Sequence, residues 1–247
     1  GGFYVYGGTF LVFLDYARPS VRMAAIMKQP VIYITTHDSI AVGEDGPTHH
    51  GAFDLAYLSC IPNMVIFCPM DEMELRNIMF TAQLGLNGPL AIRYPRGRGI
   101  HLDWEKPFNR IELGKGRTIR DGKELAILTV GPFGGIIENI CIKEKYKDLA
   151  HYDLRFVKPL DENLLHEIFS KFSKIITIED GAVRGGFGMA VLAFKNAGNY
   201  AEVKVECLGL PDRFIAHGNI SKLYQTVGLD QSSVEITIDQ VLDIKNG

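Results

Sequence analysis

The sequence predicts an α/β protein with a mainly parallel sheet, built in two successive parts. Three observations carry this. Short β-branched apolar runs alternate with amphipathic stretches of helical period. The alternation breaks once, over 97–123, and then restarts. The densest group of imidazoles and carboxylates directly follows an apolar run and precedes a helical stretch, the place where open α/β sheets carry their ligands.

Taken in order, residues 16–28 read as a helix with Val21, Ala24 and Ala25 on its inner face, and Pro19 is tolerable only in its first turn. Residues 30–36 (PVIYITT) form a buried strand and 51–58 a short helix. Residues 64–69 (MVIFCP) and 89–94 (PLAIRY) are further strands. Between them, 71–84 reads as a helix: Asp71 is an N-cap, Glu74 the matching capping-box carboxylate, and Leu75, Ile78, Met79 and Ala82 recur at helical spacing. Residues 97–123 carry six glycines or prolines, many charges and the single Trp104, and read as a connector. In the second part, 124–130, 151–156, 174–178 and 203–210 read as strands. Residues 160–172 form a helix presenting Leu164, Leu165, Ile168 and Phe172, followed by helices at 188–196 and 221–227. Residues 232–243 read as a last helix, against the preference of the β-branched run 234–238.

Composition narrows the function classes. With 247 residues and 47% hydrophobic content the chain can bury a sizeable core, which excludes disorder. A net charge of -3, from 26 basic and 29 acidic residues, argues against a dedicated nucleic-acid binder. No apolar run approaches the roughly 20 residues that span a bilayer. Cys60, Cys68, Cys141 and Cys207 form no CxxC pair and read as reduced thiols, hence a cytoplasmic, reducing location. The opening GGFYVYGG lacks both Met and the pattern of a signal peptide, and reads as the middle of a larger polypeptide.

The candidate site is THDSIAVGEDGPTHHG, residues 36–51. Gly43, Gly46 and Pro47 make a tight loop that would gather His37, His49 and His50 with Asp38, Glu44 and Asp45. Such a set can hydrogen-bond a polyhydroxylated substrate and shuttle protons near neutral pH. A zinc site is disfavoured, because His37 and His49 lack i, i+4 spacing and no thiolate joins them. Upstream, Phe10, Phe13 and Tyr16 share one face if helical; they serve either core packing or a flat heteroaromatic ligand. The glycine-rich run 181–188 matches a phosphate loop only loosely and is read as the start of a helix. His217 has no catalytic partner in the sequence.

The loop GEDGPTH, with THDSI before it, resembles the substrate loop of the transketolase family of thiamine-diphosphate enzymes, and 8–13 (GTFLVF) with Tyr16 resembles its aromatic pocket for the cofactor's aminopyrimidine ring. From His49 onward HHGAFDLAYL, IPNM, RYPRG, DLRFVKPLD and IEDG with Gly185-Gly186 resemble the 1-deoxy-D-xylulose-5-phosphate synthases of that family. The resemblance spans essentially the whole chain. It implies an incomplete parallel-sheet pyrimidine-binding domain over 1–112 and a C-terminal-type α/β domain with a mixed sheet over 121–247.

The resemblance also implies roles. Phe10, Phe13 and Tyr16 would hold the cofactor, and His37, Asp45 and His49 would act on substrate hydroxyls and protons. Arg96, with Arg93 nearby, would bind a substrate phosphate through its guanidinium, while Arg98 is solvated. The synthases usually carry arginine where Phe13 and Asp38 stand; both positions, like His37, are transketolase-like. No residue corresponds to the family's catalytic glutamate, Glu44 belonging to the substrate loop. The domain for the diphosphate and Mg²⁺ would lie upstream, so the isolated chain is expected to be inactive and to supply no metal ligand.

The implied activity is condensation of pyruvate with glyceraldehyde 3-phosphate. Transketolase, using a ketose donor, is the alternative. The β-type subunit of a 2-oxoacid dehydrogenase shares the domain pair, but the sugar-phosphate loop speaks against it. A non-catalytic dimerisation module is the alternative of another class. Expected partners are the sugar-phosphate and 2-oxoacid or ketose substrates, a second copy in a homodimer, and an upstream diphosphate-binding domain or subunit, with neither nucleic acid nor membrane.

Overall fold

Two five-stranded sheets organise the chain, in a computed structural model that describes residues 5–99 and 105–243. Trp104 and the first four residues of the opening motif lie outside the described residues. The strands are β1 (Val5–Phe10), β2 (Val31–Thr36), β3 (Val65–Phe67), β4 (Leu90–Tyr94), β5 (Arg117–Arg120), β6 (Leu125–Thr129), β7 (Leu149–Asp153), β8 (Phe156–Lys158), β9 (Lys174–Ala182) and β10 (Lys204–Leu210). The helices are α1 (Arg18–Ile26), α2 (Asp54–Ser59), α3 (Glu72–Gln83), α4 (Phe133–Cys141), α5 (Glu162–Lys171), α6 (Phe187–Ala197), α7 (Ile220–Thr226) and α8 (Gln231–Leu242). None is long and apolar enough to cross a membrane among the described residues.

The first sheet runs β1-β2-β4-β3-β8 and is parallel except for β8. The second runs β10-β9-β6-β7-β5 and is parallel except for β5, so it is mixed, as expected. The sequence reads 151–156 as one strand. The chain instead turns at Arg155, whose φ is 57°, with the Asp153 carboxylate accepting its backbone N–H at 3.0 Å. That turn sends β8 out of its own sheet to pair with β3. The two halves are therefore interlocked, and one core runs through both: Leu55, Leu58, Ile66 and Cys68 cluster with Leu128, Val157, Ile175 and Phe187.

Local rules account for most elements. Asp71 caps α3 by accepting the Glu74 N–H at 2.8 Å, and the Glu74 carboxylate holds Arg117 and Arg155. Pro19 sits in the first turn of α1, which buries Val21 and Ala25; a 3₁₀ helix, Leu11–Ala17, precedes it, so the predicted start at Tyr16 falls inside a different helix type. α2 starts at Asp54, later than predicted, because Gly51 is engaged in a bridge with Ser39. The connector holds β5, a polar edge strand. α8 forms despite its β-branched run because Val234 and Ile238 are buried. Of the cysteines, Cys68 and Cys141 are buried, Cys207 is half-buried and Cys60 is exposed, all as free thiols.

The glycine run before α6 is a helix start, filled from within. Glu179 accepts the N–H groups of Phe187 and Gly188, each at 2.8 Å, so the protein's own carboxylate takes the place of an external anion there. Burial pushes Glu179 up to about 7 in spite of those two donors.

Candidate active site

The parallel register of β1 and β2 pairs Phe10 with Thr36, so the two strands end side by side. Immediately beyond, His37 has φ 61° and Ser39 φ 57°, left-handed conformations that cost non-glycine residues energy and cluster at functional sites. Ser39 and Gly51 then exchange backbone hydrogen bonds of 2.8 and 3.0 Å, closing the intervening residues into a loop at the sheet's carboxyl end. Gly46, at φ 74°, turns the tip and its carbonyl accepts the N–H groups of His49 at 2.9 Å and His50 at 3.2 Å.

This closure gathers four rings. The His37 imidazole stacks on Phe10 with centroids 3.9 Å apart at 18°. His49 meets Phe13 edge-on at 5.5 Å, and Phe10 and Phe13 are 5.8 Å apart. Tyr16 stands apart, 86% exposed and outside these ring contacts. Each imidazole uses Nδ1 on the threonine just before it: Thr36 Oγ1 lies 2.7 Å from His37 Nδ1 and Thr48 Oγ1 2.9 Å from His49 Nδ1. Both Nε2 atoms are left without a hydrogen-bond partner among the described residues. Burial and the nearby Arg96 hold His37 below the ordinary histidine value, with Asp45 opposing, so its imidazole is neutral at pH 7.

Asp45 and Arg96 face each other at 3.9 Å, with side chains 45% and 59% exposed, a loose pair open to solvent. Arg93 behaves differently. The sequence groups it with Arg96 as a phosphate ligand, but its side chain is fully buried. Its Nε donates to Asp54 at 2.7 Å, its Nη1 to Asp180 with Asp38 at 3.2 Å, and its Nη2 to the carbonyls of Gly51 and Asp180 at 3.5 and 3.4 Å. Three carboxylates, and no solvent, receive this guanidinium; it underpins the loop from beneath. Burial, with Asp180 and Asp54 adding repulsion, pushes Asp38 well up, against the pull of Arg93.

His50 is 4% exposed, and burial lowers its pKa. Glu44 is exposed. His217, unassigned from sequence, packs on the loop: a Cβ at Gly46 would stand 3.1 Å from that of His217. Sequence reasoning misses Asp54 and Asp180, the two acidic partners of Arg93 that lie outside the loop. The signal available was a lone arginine in the apolar strand LAIRY and an acidic pair inside a buried run.

The exposed Phe13 ring, the Phe10 ring and two imidazoles with free Nε2 atoms fit a flat heteroaromatic group such as an aminopyrimidine. Among the described residues, no group of three or more histidines, cysteines or carboxylates is arranged to hold a metal ion.

Residues 1–99 match the transketolase pyrimidine-binding domain and residues 114–234 the transketolase C-terminal domain. The 1-deoxy-D-xylulose-5-phosphate synthases of Bacteroides thetaiotaomicron and Bacteroides fragilis are 49% and 51% identical over 217 and 219 residues, 87% of this chain and 33% of each relative. The chain thus spans about a third of the length of these curated relatives. A solved split-gene transketolase, described as an inactive β4 tetramer, superposes with TM-score 0.81 at 26% identity, over 98% of this chain and 76% of that one. Transketolase from Campylobacter jejuni superposes with TM-score 0.71 at 20% identity, over 95% of this chain and 35% of that one, a likeness of fold.

Proposed function

The chain belongs to the transketolase family, and on that premise we propose that it is the pyrimidine-binding and C-terminal portion, divided near 112–121, of a 1-deoxy-D-xylulose-5-phosphate synthase. That enzyme joins pyruvate to glyceraldehyde 3-phosphate with loss of CO₂. The observation that carries the reading is the convergence of Phe10, Phe13, His37 and His49 on one spot at the sheet's carboxyl end, in a chain about half identical to proteins named as synthases.

Thiamine diphosphate, when bound, supplies the carbanion chemistry. The chain's residues supply placement and proton handling. Phe10 and Phe13 offer the aminopyrimidine apolar ring surface, and Tyr16, exposed and apart from them, takes no part in it without moving. With Nδ1 of His37 and of His49 engaged by a threonine, each keeps Nε2 for substrate oxygens, donating or accepting a hydrogen bond as charge develops there. Arg96 binds the substrate phosphate; its loose pairing with Asp45 leaves the guanidinium free to swing to a stronger acceptor, and Asp45 then meets a substrate hydroxyl. Mg²⁺ and the diphosphate are held by a separate domain or subunit, and the working form is a cytoplasmic homodimer.

Transketolase remains the second reading, favoured by Phe13 and Asp38, where the synthases usually carry arginine. The test is calorimetric titration of thiamine diphosphate and Mg²⁺ into this chain mixed with the diphosphate-binding portion of the Bacteroides fragilis synthase, followed by turnover. Heat of binding with CO₂ release from pyruvate and glyceraldehyde 3-phosphate supports the synthase. Turnover of xylulose 5-phosphate without CO₂ supports transketolase. Absence of heat and turnover would leave only a scaffold role.

A further inference from the structure

We propose that the second sheet braces the imidazole loop of the first, and that Asp180 is the positioning residue through which it does so. This deepens the reading above by assigning the C-terminal half a part in the geometry of the site, besides any role in association. The brace has two points. At the loop's base, β9 delivers Asp180 to the buried Arg93, which in turn contacts Asp38, Asp54 and the Gly51 carbonyl. Gly51 is the residue that closes the loop on Ser39, and the next residue, Ala52, accepts the N–H of Ala182 from β9 at 2.8 Å. At the tip, the Gly43 carbonyl accepts the Gly218 N–H at 3.1 Å. A Cβ on Gly43 would stand 3.0 Å from Ile220 Cγ1, and one on Gly46 3.1 Å from His217 Cβ. Segment 217–220 thus lies flush against the turn that carries Asp45 and His49.

The chemistry of Arg93 explains why this joint transmits position. A guanidinium is a planar fork, and with Nε, Nη1 and Nη2 all engaged its orientation fixes every acceptor around it. Removing the Asp180 charge while keeping its shape frees the fork to lean toward Asp38 and Asp54, and both lie at the two ends of the loop's closure. His37 precedes Asp38 directly, so its left-handed backbone depends on where Asp38 is held.

The experiment is amide exchange and histidine-selective NMR on the full chain, comparing wild type with Asp180→Asn and with Phe169→Leu. Phe169, on α5, packs its ring against Phe194 and Tyr200. The loss of a charge-assisted hydrogen bond predicts exchange at Ser39 and Gly51 faster by about tenfold to a hundredfold in Asp180→Asn, with the His37 and His49 ring signals displaced and the β6 amides unchanged. Phe169→Leu should leave the ring signals in place. Unmoved rings and unchanged exchange at Ser39 and Gly51 in Asp180→Asn, or equal effects from both variants, would overturn the proposal. If Asp180→Asn does not fold, Ile220→Ala carries the test at the tip: faster exchange confined to the Gly46 amide supports the brace, and no change overturns it. The readout is loop geometry, so its failure is distinct from failure of the proposed activity.

Discussion

Replacing Arg93 with methionine removes the cation that Asp38, Asp54 and Asp180 share in a site without solvent. Methionine roughly keeps the volume, so the loss is electrostatic. Deleting one member of a buried ion pair typically costs about 3–5 kcal/mol. The variant has an outlet: its carboxylates can keep protons. Burial already raises Asp38 and Asp54 against the pull of Arg93, and without Arg93 they rise further, so this share of stability is present at low pH and is lost as pH rises through the folded values. Each extra proton retained contributes about 1.4 kcal/mol per pH unit. The deficit should therefore be about 3–5 kcal/mol at pH 7.5 and clearly smaller at pH 5. Urea denaturation followed by circular dichroism at the two pH values measures it. Arg93→Lys, which keeps the charge but loses the fork, should fall between. A deficit under about 1 kcal/mol, or one independent of pH, would refute the reasoning.

Other consequences are as direct. Gly51→Ala should destabilise by about 1–3 kcal/mol, because its Cβ would stand 2.8 Å from Leu11 Cδ2 and 3.0 Å from the His37 carbonyl; thermal denaturation reads this. Glu179, raised to about 7 by burial, takes up a proton on folding between its unfolded value and 7, so its share of stability falls as pH rises through that window. Glu179→Gln should remove that slope from the pH–stability curve. His151, pushed down to about 4 by burial and by Arg117, does the reverse: stability falls as pH drops from its unfolded value toward 4, and His151→Gln should abolish that loss in the same curve. In the proposed synthase assembly, the phosphate role proposed for Arg96 predicts that Arg96→Ala raises KM for glyceraldehyde 3-phosphate by about tenfold or more while changing kcat less, as steady-state kinetics would show.

The sequence makes the buried parallel strands legible because strands covered on both faces read as apolar runs, as in PVIYITT and ELAILTV. β1 escapes notice because Gly7 and Gly8 interrupt it. α4 opens on Phe133-Gly134-Gly135, poor helix formers that tertiary packing of Ile137 and Ile140 overrides. At the site, Phe10, Phe13, His37 and His49 come together largely because they flank two adjacent strand ends, a relation short enough to read locally. Arg93 illustrates the limit. Its partners lie 39 and 87 residues away, so the sequence sees a basic turn beside Arg96 where folding makes a buried joint between sheets.

The most direct measurement is a crystal structure of the assembled enzyme with thiamine diphosphate and an unreactive pyruvate analogue. The account predicts the aminopyrimidine against Phe10 and Phe13, with Nε2 of His37 and His49 in hydrogen-bond reach of the analogue. An analogue bound elsewhere, with both imidazoles still packed only on their phenylalanines, would contradict it.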